Sequence, residues 1–119
     1  MENELSEIID TTNAEHYVWG DGCNGWHFVK SDSLSVIKES MRGMTKEKFH
    51  YHTKARQFFY ILSGLATFEI NEVVYTVGPN RGISIESGVI HRILNNFNAD
   101  LEFLVISEPA SHKDRVDVE

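Results

Sequence analysis

Cysteine occurs once in 119 residues and proline twice, and the chain has no apolar run of membrane-spanning length. The lone Cys23 has no partner for an intramolecular disulfide. It lies in Gly20-Asp-Gly-Cys-Asn-Gly25, which reads as a turn-like loop with no base or orienting group beside the thiol in sequence. Positive charge is scarce too: 11 Lys and Arg face 18 Asp and Glu, a formal net charge of −7. No basic block is present, which argues against non-specific nucleic-acid or anionic-membrane binding. The first ten residues have neither the basic start nor the apolar stretch of a secretory signal. These absences together suggest a cytoplasmic setting. A phosphate-binding glycine loop, a Ser-His-Asp arrangement and paired carboxylates are likewise missing from the sequence.

What is present is a succession of short apolar runs separated by turn signals, the pattern of a sandwich or barrel. Trp26–Val29, Leu34–Met41, Phe58–Leu62, Leu65–Ile70, Val73–Val77, Ile83–Ile85, Val89–Asn95 and Leu101–Ile106 read as strands. Gly64 reads as a hairpin tip or bulge, and Asn71-Glu72 as a turn. Both prolines, at positions 79 and 109, fall in loops and interrupt no strand. The only helical expectation is one or two turns near the start, where Leu5, Ile8 and Ile9 share a face. The acidic, polar tail from Ser111 to Glu119 reads as mobile and is assigned no role. The expectation is one all-β domain over residues 1–119, closed so as to remove its sheet edges.

Three of the six histidines carry the chemistry. On a strand through Lys48–Thr53, His50 and His52 leave the same face about 6.6–7 Å apart. Imidazoles at that separation can converge on one ion at about 2.0–2.1 Å. A His-x-His pair alone is a weak signal. Its setting strengthens it: Gln57 follows five residues after His52, Gly64 seven after that, and Gly88-Val-Ile-His91-Arg-Ile-Leu-Asn95 adds a third histidine after a turn.

In this combination the chain resembles the cupins. Gly43, His50, His52, Gln57 and Gly64 match the first cupin motif, and Gly88, His91 and Asn95 the second. The resemblance covers about residues 34–107. It implies a double-stranded β-helix, or jelly-roll barrel, with a short N-terminal segment. It also implies one divalent metal held by His50, His52, His91 and Gln57. Gln57 stands where the family usually has glutamate, Glu86 at a usual proline and Asn80 at a usual glycine. The stretch between Gly43 and His50 is one residue longer than usual. Gln57 is either a direct ligand through a neutral oxygen or an amide that orients His50 or His91. A neutral amide leaves more positive charge on the site than a carboxylate would. The ligand set suits Zn, Fe, Ni, Mn or Cu. His16, His27 and His112 have no ligand spacing and read as surface or loop residues.

Strand alternation extends the site. Lys48 shares the parity of His50 and His52 and is expected near the barrel mouth. Phe59 and Ile61 go with Gln57, and Ile93 and Asn95 with His91. Trp26, Trp19 and Tyr17, before the motifs, cover an edge or the barrel mouth, where Trp26 would contact a ligand; otherwise they are buried in the core or an interface. Two functions follow from different classes. One is a metal-dependent enzyme on a small organic molecule, dioxygenase- or isomerase-like, a range implied by the resemblance alone. The other is a non-catalytic binding or sensing barrel, favoured by Gln57 and by the lack of an evident base. A homodimer is implied by the resemblance. Ligand histidines must be neutral and an unperturbed imidazole titrates near 6.5, so metal binding is expected to weaken below about pH 6.

Overall fold

The computed structural model describes residues 6–111 and 113–118. Twelve strands account for the regular structure of these residues: β1 (Glu15–Trp19), β2 (Cys23–Lys30), β3 (Ser35–Met41), β4 (Thr45–Lys46), β5 (His50–His52), β6 (Arg56–Ser63), β7 (Ala66–Ile70), β8 (Val73–Val77), β9 (Gly82–Ile85), β10 (His91–Asn95), β11 (Leu101–Glu108) and β12 (Arg115–Asp117). They form two antiparallel sheets, one ordered β1-β2-β3-β11-β6-β9 and the other β12-β5-β10-β7-β8, with β4 also paired to β10. The expected all-β architecture is present.

Alternation explains the core. Leu101, Phe103, Val105 and Ser107 point inward from β11, and Gln57, Phe59 and Ile61 from β6, while their neighbours face out. From the opposite sheet come Ala66 and Phe68 of β7 and Ile93 of β10. The Phe59 ring meets Phe68 edge-on at 5.1 Å and lies 5.8 Å from Phe103, which ties the two sheets together. Asn71 and Glu72 both take positive φ (49° and 69°) between the paired residues Ile70 and Val73, a two-residue hairpin of the kind that matches strand twist.

Four expectations change. Gly64 is not a hairpin tip, because β6 and β7 belong to different sheets. It is a corner with φ of 87°, and a Cβ there would lie 2.9 Å from the Asp100 carbonyl oxygen. The residues before β1 are not helical from Ser6 onward, and Leu5 lies outside the described residues. Asp10 instead accepts from the Thr12 backbone N–H at 2.8 Å, and its own N–H donates to Asn13 Oδ1 at 2.8 Å. Such side-chain bonds compete with helix formation. Cys23 is buried at the start of β2, its Sγ 3.7 Å from Thr45 Oγ1, and is not a loop thiol.

The tail is the largest change. Arg115, Val116 and Asp117 pair with His52, Tyr51 and His50, so β12 is the edge strand beside the histidines. The Asp114 carboxylate anchors it by accepting from the backbone N–H groups of Thr53, Lys54 and Ala55 and from the Thr53 hydroxyl.

Candidate metal centre

Antiparallel pairing places His91 of β10 opposite His50 of β5. With His52 two residues along β5, the three rings gather on the inner face, with centroids 4.3 Å (His50–His91), 5.2 Å (His50–His52) and 5.9 Å (His52–His91) apart. All three side chains are buried, and one ring nitrogen of each lies within 4.8 Å of the others. His50 Nδ1 is 2.9 Å from the Lys48 carbonyl oxygen and His91 Nδ1 is 2.9 Å from that of Val89. A carbonyl only accepts, so each Nδ1 carries the proton and each Nε2 presents a lone pair.

Gln57 approaches from the other sheet. Its Nε2 donates to Ser107 Oγ at 3.0 Å, which assigns the amide orientation and leaves Oε1 for another partner. Among the described residues, Gln57 Oε1, His52 Nδ1 and His91 Nε2 are buried without a hydrogen-bond partner. Buried polar atoms are rarely left so. Three lone-pair donors orphaned together, one an amide oxygen and two imidazole nitrogens, are what a borderline divalent cation satisfies. The residues present fit a metal.

Burial also sets the charge state. It pushes His50 and His52 down to about 4, and His91 down as well, because the imidazolium loses its hydration. His50 and His52 therefore stay neutral, as ligands must be, well below pH 6, and the shift of His91 runs in the same direction.

His50 and His52 border a cavity of about 290 Å³ lined by residues from seven of the twelve strands and from the segments between them. Phe59 lines it. Ile61, Ile93 and Asn95 face inward but stand away from it in the core. Asn95 donates to the carbonyls of Met41 (3.0 Å) and Ala99 (2.9 Å) and accepts from Phe97 N–H, which secures the turn after β10. Trp26 is on the outward face of β2, near His16 (5.4 Å) and under Lys38 Nζ (5.8 Å). Its inward-facing neighbour His27, with Tyr17 and Trp19 of β1, lines the cavity instead.

Lys48 is exposed, and the expected inward position belongs to Glu47. The register gives the reason. Asn95 and Leu94 pair with Thr45 and Lys46, yet His91 pairs with His50. Four steps on one side match three on the other, so the chain bulges by one residue between Lys46 and His50. Glu47 N–H donates to the Ile93 carbonyl within that bulge. Glu47 then meets Arg115 at 3.2 Å and lies 3.9 Å from His50 Nδ1.

Sequence reading also missed Glu39 and Arg115, and it named Tyr17 and Trp19 for an edge or the barrel mouth without a strand to carry them. Tyr17 and Trp19 did alternate ahead of the motifs, and Arg115 and Asp117 did alternate around Val116 in the tail. Neither pattern was long enough to mark a strand.

A family model for the cupin domain matches residues 39–107. No curated protein is detectably similar in sequence. Solved structures with the same fold include KdgF from Halomonas sp., at a TM-score of 0.81 and 11% identity over 91% of this chain and 97% of that one. The polyketide cyclase RemF from Streptomyces resistomycificus gives 0.81 and 14%, over 97% and 87% of the two chains. A cupin-superfamily sugar phosphate isomerase from Silicibacter pomeroyi gives 0.77 and 17%, over 87% and 76%. Motif residues, strand order and the match over more than half of its length show that this chain is a member of the cupin domain family.

Proposed function

We propose that this protein is a metal-dependent enzyme acting on a small organic molecule, with one divalent ion held by His50, His52, His91 and Gln57 Oε1. The observation that carries the reading is the set of orphaned lone pairs around three buried imidazoles, two of which line a cavity. A bound ion would act there as a Lewis acid on a substrate oxygen. The four ligands bring no negative charge, so the ion keeps its attraction for an anionic or strongly polarised oxygen.

Glu39 and Glu47 face the same cavity, which answers the lack of an evident base in the sequence. Proton-transfer chemistry of the isomerase kind fits this lining better than oxygen activation, which needs no such groups. The resemblance in fold to a cyclase and a sugar phosphate isomerase supports small-molecule chemistry without naming the substrate. Zn, Fe, Ni, Mn and Cu all suit the ligands. The exposed apolar strip of Val73, Val74 and Tyr75 on the edge strand β8 supports pairing with a second copy of the chain, which sedimentation would test.

Elemental analysis of the purified protein beside a His50→Ala/His52→Ala variant tests the centre. Near-stoichiometric metal, lost in the variant, is expected. Absence of metal from both, even after reconstitution, would leave a metal-free binding barrel. A metal-replete protein that returns every bound compound unchanged would favour a sensing role.

A further inference from the structure

One row of paired residues across three strands builds a second reactive group in the cavity wall. Tyr17 of β1 pairs with Gly25 of β2, and Gly25 pairs with Glu39 of β3. A Cβ at position 25 would lie 2.2 Å from Tyr17 Cζ and 2.5 Å from its hydroxyl oxygen. The tyrosine therefore lies across β2 in the space a side chain would fill. Its hydroxyl donates to Glu39 Oε2 at 2.6 Å. Any other residue at position 25 would push the ring off this path.

Glu39 is partly buried and lines the cavity. Among the described residues no lysine or arginine pairs with it. Arg115 is engaged by Glu47 and Asp117, and Lys38 by Glu102. A carboxyl kept only for packing would have a cationic partner or would have been replaced by an apolar side chain. Glu39 has instead one phenol on Oε2 and a place in the cavity lining.

We infer that Glu39 is the proton-transfer group of this cavity, positioned by Tyr17, and that its substrate is a small enolisable carbonyl compound. The inference rests on the metal-dependent reading above. The Glu39 carboxylate, its charge held by the Tyr17 hydroxyl directed at Oε2, takes a proton from the carbon beside the carbonyl, and the C–H bonding pair passes into the enolate. The acid so formed gives the proton to the neighbouring enolate carbon, and the O–H bonding pair returns to the carboxylate. One hydrogen changes place and no other atom is gained or lost. Burial pushes Glu39 up to about 8, with Glu47 raising it further and Tyr17 and Arg115 opposing, so the acid form is available at neutral pH. The titratable groups that share the cavity with it are Tyr17 from β1, His27 from β2, Glu47 from the bulge, His50 and His52 from β5 and Arg115 from β12.

The test uses the full chain reconstituted with each candidate metal, and dihydroxyacetone in deuterated water, with exchange of its carbon-bound hydrogens followed by NMR. Glu39→Gln should keep its metal and exchange about a hundredfold more slowly, within the usual range for losing a positioned acid or base. Tyr17→Phe keeps the ring but removes a bond that favours the carboxylate, so the limb on which exchange rises as Glu39 loses its proton should move to higher pH. A second readout needs neither metal nor turnover. The infrared spectrum of the metal-free protein at neutral pH should show a protonated carboxyl that Glu39→Gln abolishes. Wild-type exchange rates in a metal-loaded Glu39→Gln protein, or no such carboxyl band, would overturn the role of Glu39 while leaving the metal centre intact. No exchange by the metal-loaded wild type would overturn the substrate class. An unchanged pH profile in Tyr17→Phe would overturn the positioning role. Failure to bind any metal would refute the centre itself, and the infrared band would still decide the state of Glu39.

Discussion

Gln57 differs from glutamate by one terminal atom, and its neighbour decides which end of the amide faces the histidines. Ser107 Oγ accepts from Nε2, and Ser111 Oγ lies 3.3 Å from Ser107 Oγ, so the orientation rests on a short hydroxyl chain. Ser107→Ala should let the amide rotate and weaken metal affinity about 10-fold or more, the usual effect of removing a group that orients a ligand. Competition against a chelator would measure this; unaltered affinity would mean that Gln57 does not ligate. At this scale the histidines were legible because a strand has a period of two, and His50 and His52 need only that period to share a face. Glu47 was not legible. Its inward position depends on a one-residue bulge, and a slip of one residue exchanges the two faces of a strand.

Among the elements, β12 owes its place to a single side chain. The Asp114 carboxylate gathers three successive N–H groups of the turn after β5, much as a capping residue does at a helix start. Partial burial alone would raise its pKa, but the bonds from Thr53, Ala55 and Lys54 outweigh that and hold it at about 2. Asp114→Ala should lower the melting temperature by a few degrees, in line with about 1 kcal/mol for a lost cap. It should also raise amide exchange at Thr53–Ala55, with little change in the β6–β11 core. Equal loosening of that core would refute a local anchor. The central strands were readable because they are long and alternate clearly, as in Leu101–Ile106. The peripheral strands β1, β4 and β12 were not, because two to five residues of mixed polarity take their conformation from the sheet they join. Gly64 misled for a related reason: a glycine between two strand-like runs marks a bend, not which sheet the second run enters.

For the molecule as a whole, the buried histidines link stability to pH. In the folded chain His50 and His52 stay neutral down to about 4, while unfolded histidines protonate near 6.5. Between those values the unfolded chain binds more protons, so their contribution to metal-free stability is present above about pH 6.5 and is lost as pH falls toward 4. Melting temperatures of the metal-free protein should fall through that window, and less so in His50→Ala/His52→Ala. Metal should be retained at pH 5, contrary to what unperturbed histidines would give; loss at pH 6 would show that the rings are not desolvated. Three of the proposed ligands come from one sheet and Gln57 from the other, so the ion would also fasten the sheets together and raise the melting temperature. Half of the cavity-lining residues, including Tyr17, Trp19, His27, Ser111 and Arg115, lie outside the matched segment 39–107. The two ends of the chain thus act as interchangeable jaws around an unchanging grip. A new substrate preference can arise by rewriting the first and last strands, or by grafting them from another barrel, with the ion-holding residues left as they are.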